Sequence, residues 1–506
     1  MANRQFSVYH SFAVLSLSTL CYLPAAARAA EGMEAPKPAP ISKETQACLD
    51  CHADMNPGIV ADWRSSRHAR TTPAAAMTKG ALERRVSSKT VPDNLKSVAV
   101  GCYECHALNP AAHKDNFDHF DAKINVVVSP NDCRTCHADE AEQYLRSKKA
   151  HALGNLQKNP VYHLLVETVT SVRKAEGGKL TPLASSEYAK AETCYACHGT
   201  TVTVTGMRKV KSDVGDLEVP VLSGWPNQGV GRVNPDGTAG SCTACHPRHS
   251  FAIEIARDPR ACSQCHLVPD VPAYDVYRES KHGNIFDAKH QEWDMGAVPW
   301  HVGKDFRAPT CAVCHNSLLV TPGGEVIAAR THDFGARLWV RIFGLITSHP
   351  QPKSGDTSVI KNADGLPLPT TFTGQPASEF LIDAREQAKR QGEMRKVCQA
   401  CHSESWAIGH FKKFDSSVAE ADQMVLAATQ LLARAWELKV ADRSNPFDEG
   451  IEQLWVSQWL FYANSVRYAS AMSGPDYATF RNGWWELTNT LQRMKDLIEL
   501  KAGGGK

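Results

Sequence analysis

The side chains with the clearest chemical potential are sixteen cysteines that recur in pairs, each pair closed by a histidine. Every pair has the form C-x-x-C-H, and we number the eight copies as motifs 1 to 8 in chain order. The cysteines are Cys48, Cys51, Cys102, Cys105, Cys133, Cys136, Cys194, Cys197, Cys242, Cys245, Cys262, Cys265, Cys311, Cys314, Cys398 and Cys401. The histidines are His52, His106, His137, His198, His246, His266, His315 and His402.

This spacing is the attachment signature of c-type haem. Two thiols in one motif can bond the two vinyl groups of a porphyrin, and the histidine that follows can bind its iron. A zinc site uses similar residues and would compete as the interpretation of a single copy. Eight copies that use every cysteine after residue 29 favour eight covalently bound haems c over zinc or disulfides.

Composition excludes several other classes of protein. Of 506 residues, 42% are hydrophobic and 22% are charged, so neither a disordered chain nor an integral membrane bundle is expected. The formal net charge is only +2, and nucleic acid is therefore not an expected partner. Beyond the N-terminal segment, no apolar stretch is long enough to predict a membrane span.

The first residues are predicted to be a cleaved export signal. Arg4 precedes an apolar run at residues 12–23, and Ala27-Arg28-Ala29 resembles a cleavage site. We expect cleavage near Ala29 and a periplasmic or otherwise exported protein. The predicted organisation is a signal peptide at 1–29, an extended tail at 30–47, an octahaem-binding domain at 48–415 and a helical bundle at 416–506.

The elements that must position the motifs change along the chain. Short helices and loops are expected around the cysteines, with the haems supplying much of the core. Residues 201–240 predict a hairpin-like insertion and residues 350–377 a loop. The 20-residue separation of Cys242 from Cys262 places motifs 5 and 6 close together. Helical spacing at 416–442, 449–472 and 476–500 predicts three long packed helices, so the fold class is mainly α.

A second set of histidines could bind iron from the opposite, distal side of each haem. Eight six-coordinate irons would use eight of them, whereas seven would leave one iron open. An open iron can bind and transform a small ligand, and a bis-histidine iron passes electrons. Counting leaves a pure electron-transfer conduit open as an alternative. The twelve candidates are His68, His113, His119, His151, His163, His249, His282, His290, His301, His332, His349 and His410.

The chain resembles the octahaem hydroxylamine oxidoreductase family. Besides the eight motifs and the C-terminal helices, the shared features are the C-x-x-C-H-x-R-H run from Cys242, Ser280-Lys281-His282-Gly283, and Ala308-Pro309-Thr310 before Cys311. The resemblance implies that motif 4 holds the catalytic haem, with its distal position open. It implies distal ligands at His68, His119, His151, His249, His282 and His332. For the seventh distal position, His113, His163, His349 and His410 compete.

The chain departs from the oxidising members of that family near the expected active site. In those members, a Tyr three residues before a Gly-Trp pair cross-links to the catalytic porphyrin. Here Gly483-Trp484 is present but the position is Phe480, which has no oxygen, and Tyr477 lies one helical turn earlier. The family's active-site Asp corresponds to Asp270, while its neighbouring His is replaced by Val271. His349 is a candidate replacement proton donor.

These departures favour multi-electron reduction of nitrite, hydroxylamine or both at the haem of motif 4. Hydroxylamine or hydrazine oxidation is the first alternative, and a conduit with eight six-coordinate haems is the second. A tetrathionate- or sulfite-reducing protein is a further alternative. The resemblance implies a small inorganic nitrogen substrate, a redox partner such as a quinol dehydrogenase or small cytochrome c, and a homo-oligomer, with a trimer favoured.

Overall fold

Side-chain caps begin many of the helices, and in the cysteine-rich part those helices are short. The hydroxyls of Ser66, Ser129 and Ser280 each accept a backbone N–H from the first turn that follows. The computed structural model describes residues 39–212, 215–479 and 481–503. The expected signal peptide at 1–29 therefore lies outside the described residues, and so does residue 480.

The described helices come first along the chain as many short segments and then as longer ones. They are α1 (Lys43–Met55), α2 (Pro57–Ser65), α3 (Arg67–Arg70), α4 (Pro73–Met77), α5 (Asp93–Lys96), α6 (Cys102–His106), α7 (Pro130–Arg134), α8 (Ala138–Arg146), α9 (Ala152–Gln157), α10 (Pro160–Thr170), α11 (Glu187–Glu192), α12 (Cys194–His198), α13 (Ile253–Arg257), α14 (Pro259–Ser263), α15 (Ala273–Glu279), α16 (Lys281–Lys289), α17 (Cys311–His315), α18 (Ala384–Gln399), α19 (Glu404–Glu437), α20 (Gly450–Val456), α21 (Ala463–Met472), α22 (Pro475–Thr479) and α23 (Trp484–Gly503). A π-helical segment, Ser457–Tyr462, joins α20 to α21.

The strands form small separate sheets. They are β1 (Asn116–His119), β2 (Ala122–Asn125), β3 (Arg173–Glu176), β4 (Lys179–Pro182), β5 (Thr203–Ser212), β6 (Gly215–Ser223), β7 (Trp300–His301), β8 (Leu319–Val320), β9 (Val326–Ala328), β10 (Val340–Arg341) and β11 (His349–Pro350). The pairs β1–β2, β3–β4, β5–β6 and β10–β11 are antiparallel. In the sheet β7–β8–β9, β7 is parallel to β8 and β9 is antiparallel to it. The fold is thus mainly α, as predicted.

Two predictions for the irregular segments are confirmed. The pair β5–β6 is the hairpin expected between motifs 4 and 5, with Thr203 opposite Ser223 at its base. Between residues 351 and 377 the described elements amount to a single 3-10 turn, Thr357–Val359, so this stretch is a loop.

Three predicted boundaries differ from the structure. Helix α1 begins at Lys43, inside the stretch expected to be an extended tail, because the Ser42 hydroxyl caps it by accepting the Thr45 N–H at 3.0 Å. Helix α19 begins at Glu404 rather than 416, because the Ser403 hydroxyl caps it. The expected boundary between 415 and 416 therefore falls inside a helix.

The third expected long helix is divided into α22 and α23. Its division has a steric reason at Gly483, where an added Cβ would lie 1.9 Å from the Tyr477 carbonyl oxygen. A continuous helix would need no such close approach between turns. Helix α22 therefore ends at Thr479, and a new helix begins at Trp484.

The C-terminal helices enclose the largest hydrophobic core. On α19, buried residues recur at helical spacing, among them Val418, Ala421 and Val425. From the segment Gly450–Tyr462, Trp455 and Trp459 add two of the largest buried side chains, and Trp455 Nε1 donates to Thr429 Oγ1 at 2.9 Å. Most of this core consists of side chains packed on one another, while Val456, Trp459 and Leu460 also line the cavity described below.

Among the helices that the structure describes, none combines the length and apolarity needed to cross a bilayer.

Candidate haem-binding cavity and catalytic site

All eight C-x-x-C-H motifs open into one continuous cavity of 2890 Å³. No motif cysteine forms a disulfide among the described residues, and every motif cysteine and histidine lines the cavity. At about 24 cal/mol per Å³ of unfilled cavity, this volume would cost tens of kcal/mol. Native proteins are stable by only about 5–15 kcal/mol. The cavity therefore has the size and the lining of a space that prosthetic groups fill.

Local helix geometry aims the two thiols of a motif at one group. Helices α6, α12 and α17 each consist of the five residues of one motif. Residues three apart lie on the same helix face, so both cysteines of a motif face the cavity together. This is the arrangement that two thioether bonds to one porphyrin require.

Four motif histidines face a second imidazole across the cavity. A metal–imidazole bond of about 2 Å on each side of one iron puts two ring centroids about 6 Å apart. The observed centroid separations lie between 6.1 and 6.5 Å, which fits one iron between each pair. The pairs are His52 with His119, His137 with His68, His246 with His332, and His402 with His282.

A fifth expected distal ligand lies near motif 2. Burial lowers the pKa of His249, and the neighbouring His106 lowers it further. His106 Nδ1 donates to the Asn125 carbonyl at 2.8 Å, which leaves its Nε2 toward the cavity. Within the described ranges, no second imidazole stacks opposite His198, His266 or His315, the histidines of motifs 4, 6 and 7.

Two of the remaining candidate ligands have other hydrogen-bond partners. His151 Nε2 donates to the Leu145 carbonyl at 2.9 Å. His113 uses both ring nitrogens, contacting Asp115 at 3.2 Å and Asp132 at 3.1 Å, so neither nitrogen is free for iron.

Two further candidates for the seventh distal ligand differ in position, since one is half-exposed and the other lines the cavity. His163 is half-exposed beside Glu167. His410 lines the cavity, stacks on Trp406 and donates from Nε2 to the Ala471 carbonyl at 3.2 Å.

Contacts between thiols of different motifs give the spatial order of the binding positions. Side-chain contacts join motifs 1 and 2, 3 and 5, 4 and 6, and 6 and 7. Cysteines of motifs 2 and 3, 5 and 6, and 7 and 8 are also close enough to perturb one another's pKa. The order in space is therefore 1–2–3–5–6–7–8, with motif 4 attached to motif 6. The expected proximity of motifs 5 and 6 is confirmed.

Motif 4 is held by an unusually close backbone contact. His198 Nδ1 donates to the Ala152 carbonyl at 3.2 Å. Gly199 has φ +104°, a left-handed conformation that favours glycine, and a Cβ on Gly231 would lie 2.7 Å from the His198 carbonyl oxygen. These glycines let the loop that contains Gly231 press directly behind the motif histidine, which fixes its ring.

An acidic and a phenolic side chain lie beside motif 4. Asp270 lines the cavity near His198, and burial raises the pKa of its carboxyl group. Tyr468 of α21 also lines the cavity, and burial raises its pKa to about 12. Asn464 Nδ2 donates to the Asp270 carbonyl at 3.3 Å and thereby ties this segment to α21.

The structure separates the other residues expected at the active site. Tyr477 lines a second cavity of 580 Å³, while Val268 and Pro269 form a wall shared by both cavities. His349 is buried, and its Nδ1 donates to the Pro350 carbonyl at 2.7 Å, so Nε2 has no partner. Phe480 lies outside the described residues.

Three residues near motif 4 were missed by sequence reasoning. Tyr468, Arg341 and Lys148 line the cavity, and Arg341 acts electrostatically on both His198 and Tyr468. Lys148 lies only three residues before His151, but a single lysine carries no pattern. Tyr468 was distinguishable from the other aromatic residues of the C-terminal segment only by its place in the folded chain.

Cationic side chains in the cavity wall could also bind the propionate groups of a haem. The Nε and Nη2 atoms of Arg85 are buried without a hydrogen-bond partner in a residue that lines the cavity. Unpaired buried donors are costly, and a haem propionate would satisfy them. The cavity volume, the facing imidazoles and these donors all fit covalently bound haem.

Two family profiles match parts of the chain. Residues 230–325 match the family described as "Seven times multi-haem cytochrome CxxCH". Residues 47–126 and 132–218 match "Cytochrome c554 and c-prime". Together these matches reach seven of the eight motifs, from motif 1 to motif 7.

A solved structure extends the similarity over almost the whole chain. This relative, described as a "Hypothetical multiheme protein", is 44% identical and superposes with a TM-score of 0.87 over 92% of this chain and 97% of its own. The present chain belongs to the multihaem c-type cytochromes. It binds haem c covalently, as its motifs predict.

Part of this multihaem cytochrome is also similar in sequence to a relative whose name includes hydroxylamine oxidoreductase. Over 280 residues it is 25% identical to a probable nitrite reductase–hydroxylamine oxidoreductase fusion protein of Kuenenia stuttgartiensis. The match covers 53% of this chain but only 25% of that relative, so the chain spans about a quarter of its length. A reducing HAO-like protein complex of the same organism shares the fold, with a TM-score of 0.54 at 19% identity over 91% of this chain and 85% of its own.

Proposed function

We propose that this cytochrome is an exported octahaem oxidoreductase that reduces nitrite, hydroxylamine or both at motif 4. Haem c supplies electron transfer and, where an iron keeps an open position, a binding place for a small ligand. The observation that carries the proposal is the place of motif 4. It stands off the series 1–2–3–5–6–7–8, joins it at motif 6, and has Asp270 and Tyr468 beside it.

The side chains around motif 4 suit a reaction that consumes protons. Burial raises the pKa of Asp270, so its carboxyl group holds a proton more readily than an exposed aspartic acid. A proton on Asp270 can be donated to a substrate oxygen or nitrogen in the cavity. The Tyr468 hydroxyl stays protonated at neutral pH and serves as a second hydrogen-bond donor. His349, the other candidate proton donor, is buried outside the cavity lining, and burial lowers its pKa to about 3, so Asp270 is the better proton source.

The direction of the reaction is supported by the residue at position 480. Phe480 lacks the phenolic oxygen through which oxidising members of the resembled family link a Tyr to the catalytic porphyrin. Tyr477, the nearest tyrosine along the chain, lines the second cavity instead. Both observations support the reductive direction over hydroxylamine or hydrazine oxidation.

Partners follow from the same proposal. Reduction needs an electron donor, for which a small cytochrome c or a quinol dehydrogenase is suited. We also propose a homo-oligomer, with a trimer favoured as the family resemblance implies, and individual exposed apolar side chains near β3–β4 and α11 are available for its contacts. There Val172, Leu180 and Tyr188 are each more than three-fifths exposed. Light scattering of the purified holoprotein measures the number of copies directly.

The test is substrate-dependent oxidation of a reduced dye by purified holoprotein. We expect dye oxidation with nitrite, hydroxylamine or both, and little dye reduction when hydroxylamine is offered with an oxidised acceptor. Robust hydroxylamine oxidation without any reductase activity would overturn the direction. If the ferric protein shows no high-spin signal and its spectrum does not respond to cyanide or nitrite, all irons are six-coordinate and the conduit alternative holds.

A matched pair of variants tests the role of Asp270. Asp270→Asn removes a proton source beside motif 4, and general acid catalysis contributes roughly 10²–10⁴-fold to a rate. Asp364→Asn is the control, because Asp364 is exposed on a loop away from the cavity. We expect a kcat at least about tenfold lower for Asp270→Asn alone, with unchanged haem content.

A further inference from the structure

Two cations beside motif 4 are held on one hairpin. In the β10–β11 pair, Arg341 lies directly opposite His349. Lys148, from the segment after α8, donates from Nζ to Gln351 Oε1 at 2.6 Å. Gln351 in turn donates from Nε2 to the Val340 carbonyl at 2.8 Å, so Lys148 is anchored to the strand that carries Arg341.

Neither cation has an anionic partner. Across residues 39–212, 215–479 and 481–503, Arg341 and Lys148 form no ion pair, and Asp333 acts on Lys148 only from a distance. Arg467, by contrast, is paired with Asp422, and Arg330 is paired with Glu140. Positive charge withdrawn from water without a partner is costly, so this pair is suited to receive an anion.

The pair faces the position of motif 4. Both cations line the cavity, Arg341 is close enough to lower the pKa of His198, and Lys148 is close enough to Arg341 for its own pKa to be lowered. His349 adds a buried Nε2 without a hydrogen-bond partner directly across the strand from Arg341. Donor groups from two separate chain segments therefore converge on one region of the cavity.

We propose that Arg341 and Lys148 bind a planar anion with two oxygen atoms beside motif 4. An Arg guanidinium matches such an anion with two parallel hydrogen bonds, and Lys adds a point charge. Nitrite has this shape and charge, and so does the carboxylate of a haem propionate. The nitrite case rests on the proposed function, whereas the propionate case does not.

The two sources predict different measurements. Nitrite is an anion and hydroxylamine is uncharged at neutral pH, so a substrate-binding pair discriminates between them. A propionate-binding pair acts on the haem itself. Loss of positive charge beside a propionate favours the ferric over the ferrous state and lowers the midpoint potential.

The test uses Arg341→Gln, Arg341→Lys and Lys148→Gln in the full-length holoprotein. Lys353→Gln is the control, because Lys353 is an exposed cation near the same hairpin that contacts only the Glu379 carbonyl. Nitrite is titrated into the ferric protein while the absorption of the open haem is followed, and no turnover is needed. Haem content of each variant is checked first, and Lys148→Gln serves if Arg341→Gln fails to fold.

If nitrite is the ligand, Arg341→Gln weakens nitrite binding about tenfold or more and hydroxylamine binding less than about twofold. Arg341→Lys keeps the positive charge but cannot form two parallel hydrogen bonds, so its nitrite affinity should lie between those of the wild type and Arg341→Gln. If a propionate is the ligand, nitrite and hydroxylamine affinities move together and the midpoint potential of the open haem falls. The proposal is overturned if neither the affinities nor the potential differ from Lys353→Gln.

The outcome is separable from that of the proposed function. Weaker nitrite binding in a protein that reduces neither nitrite nor hydroxylamine would retain the anion site and reject the reductase. Nitrite reduction with unchanged affinities and potentials would retain the reductase and reject the anion site.

Discussion

The C-terminal bundle and the cysteine-rich region differ in what fills their interiors. In the bundle, Trp455, Leu432 and Ile451 are fully buried against other side chains. In the cysteine-rich region, buried residues form small separate clusters around a cavity of 2890 Å³. One region brings its own core, whereas the other is built to surround a core of prosthetic groups. Helical periodicity is therefore clear in the sequence of the first and weak in that of the second.

The largest expected effect comes from producing the full chain without haem attachment. The unfilled cavity would cost tens of kcal/mol at about 24 cal/mol per Å³, so residues 39–402 should not fold. Limited proteolysis with mass spectrometry should find this region cleaved at least about a hundredfold faster than in the holoprotein. Equal protease resistance in the two forms would show that the region has a side-chain core after all.

Within the bundle, Trp455→Ala should lower the free energy of unfolding by about 3–5 kcal/mol. The substitution leaves a large cavity and removes the hydrogen bond to Thr429. Trp485→Ala is the matched control, since Trp485 is 63% exposed and should change stability by less than about 0.5 kcal/mol. Denaturant unfolding followed by far-UV circular dichroism measures both. The haem absorption of the folded Trp455→Ala variant should be unchanged. This result would show that the core of the bundle can be weakened without altering the haem environment.

A smaller loss of stability is expected from His113→Gln, which tests how much the buried hydrogen bonds of His113 stabilise the cysteine-rich region. Burial alone would lower the pKa of His113, but hydrogen bonds with Asp115 and Asp132 raise it to about 10. Since the folded pKa lies above the unfolded value of 6.5, the stabilisation is complete below pH 6.5 and is lost as pH rises through about 10. The variant should therefore lose about 2 kcal/mol near pH 6 and progressively less toward pH 10. A pH-independent loss would contradict the charged pair.

The smallest effect on stability is expected from His332→Ala, which should nevertheless change the spin state of one haem. His332→Ala removes the imidazole that faces His246 across 6.5 Å. We expect one haem to change from low to high spin, measured by electron paramagnetic resonance of the ferric protein, with stability altered by less than about 1 kcal/mol. His163→Ala, at a half-exposed site beside Glu167, should leave the spectrum unchanged. Both variants giving the same spectrum would remove His332 from the ligand set.

Much of the architecture follows from local sequence, and the exceptions have physical causes. Spacing alone identifies the motifs, and the hairpin at 203–223 follows from alternating residues and turn signals. The break before Trp484 was not predictable, because it depends on how closely Gly483 approaches Tyr477.

The site was only partly predictable for a related reason. His68, His119, His282 and His332 face motif histidines, as the family resemblance implies. His113 is taken instead by two carboxylates, a competition that no linear pattern reveals. Arg341 and Lys148 meet only because a hairpin and a distant segment fold together.

The branch at motif 6 makes this motif the shared connection between motif 4 and the other motifs of the series. In the order given by the thiol contacts of the described residues, motifs 1, 2, 3 and 5 form one arm, motifs 7 and 8 form the other, and motif 4 joins both at motif 6. If electrons pass between neighbouring haems in this order, loss of a haem in one arm leaves the other arm connected to motif 4. Loss of the haem at motif 6 would isolate motif 4 from both. Cys262→Ala with Cys265→Ala should therefore slow re-reduction of haem 4 far more than the equivalent change at motif 8, when both are followed by stopped-flow absorption.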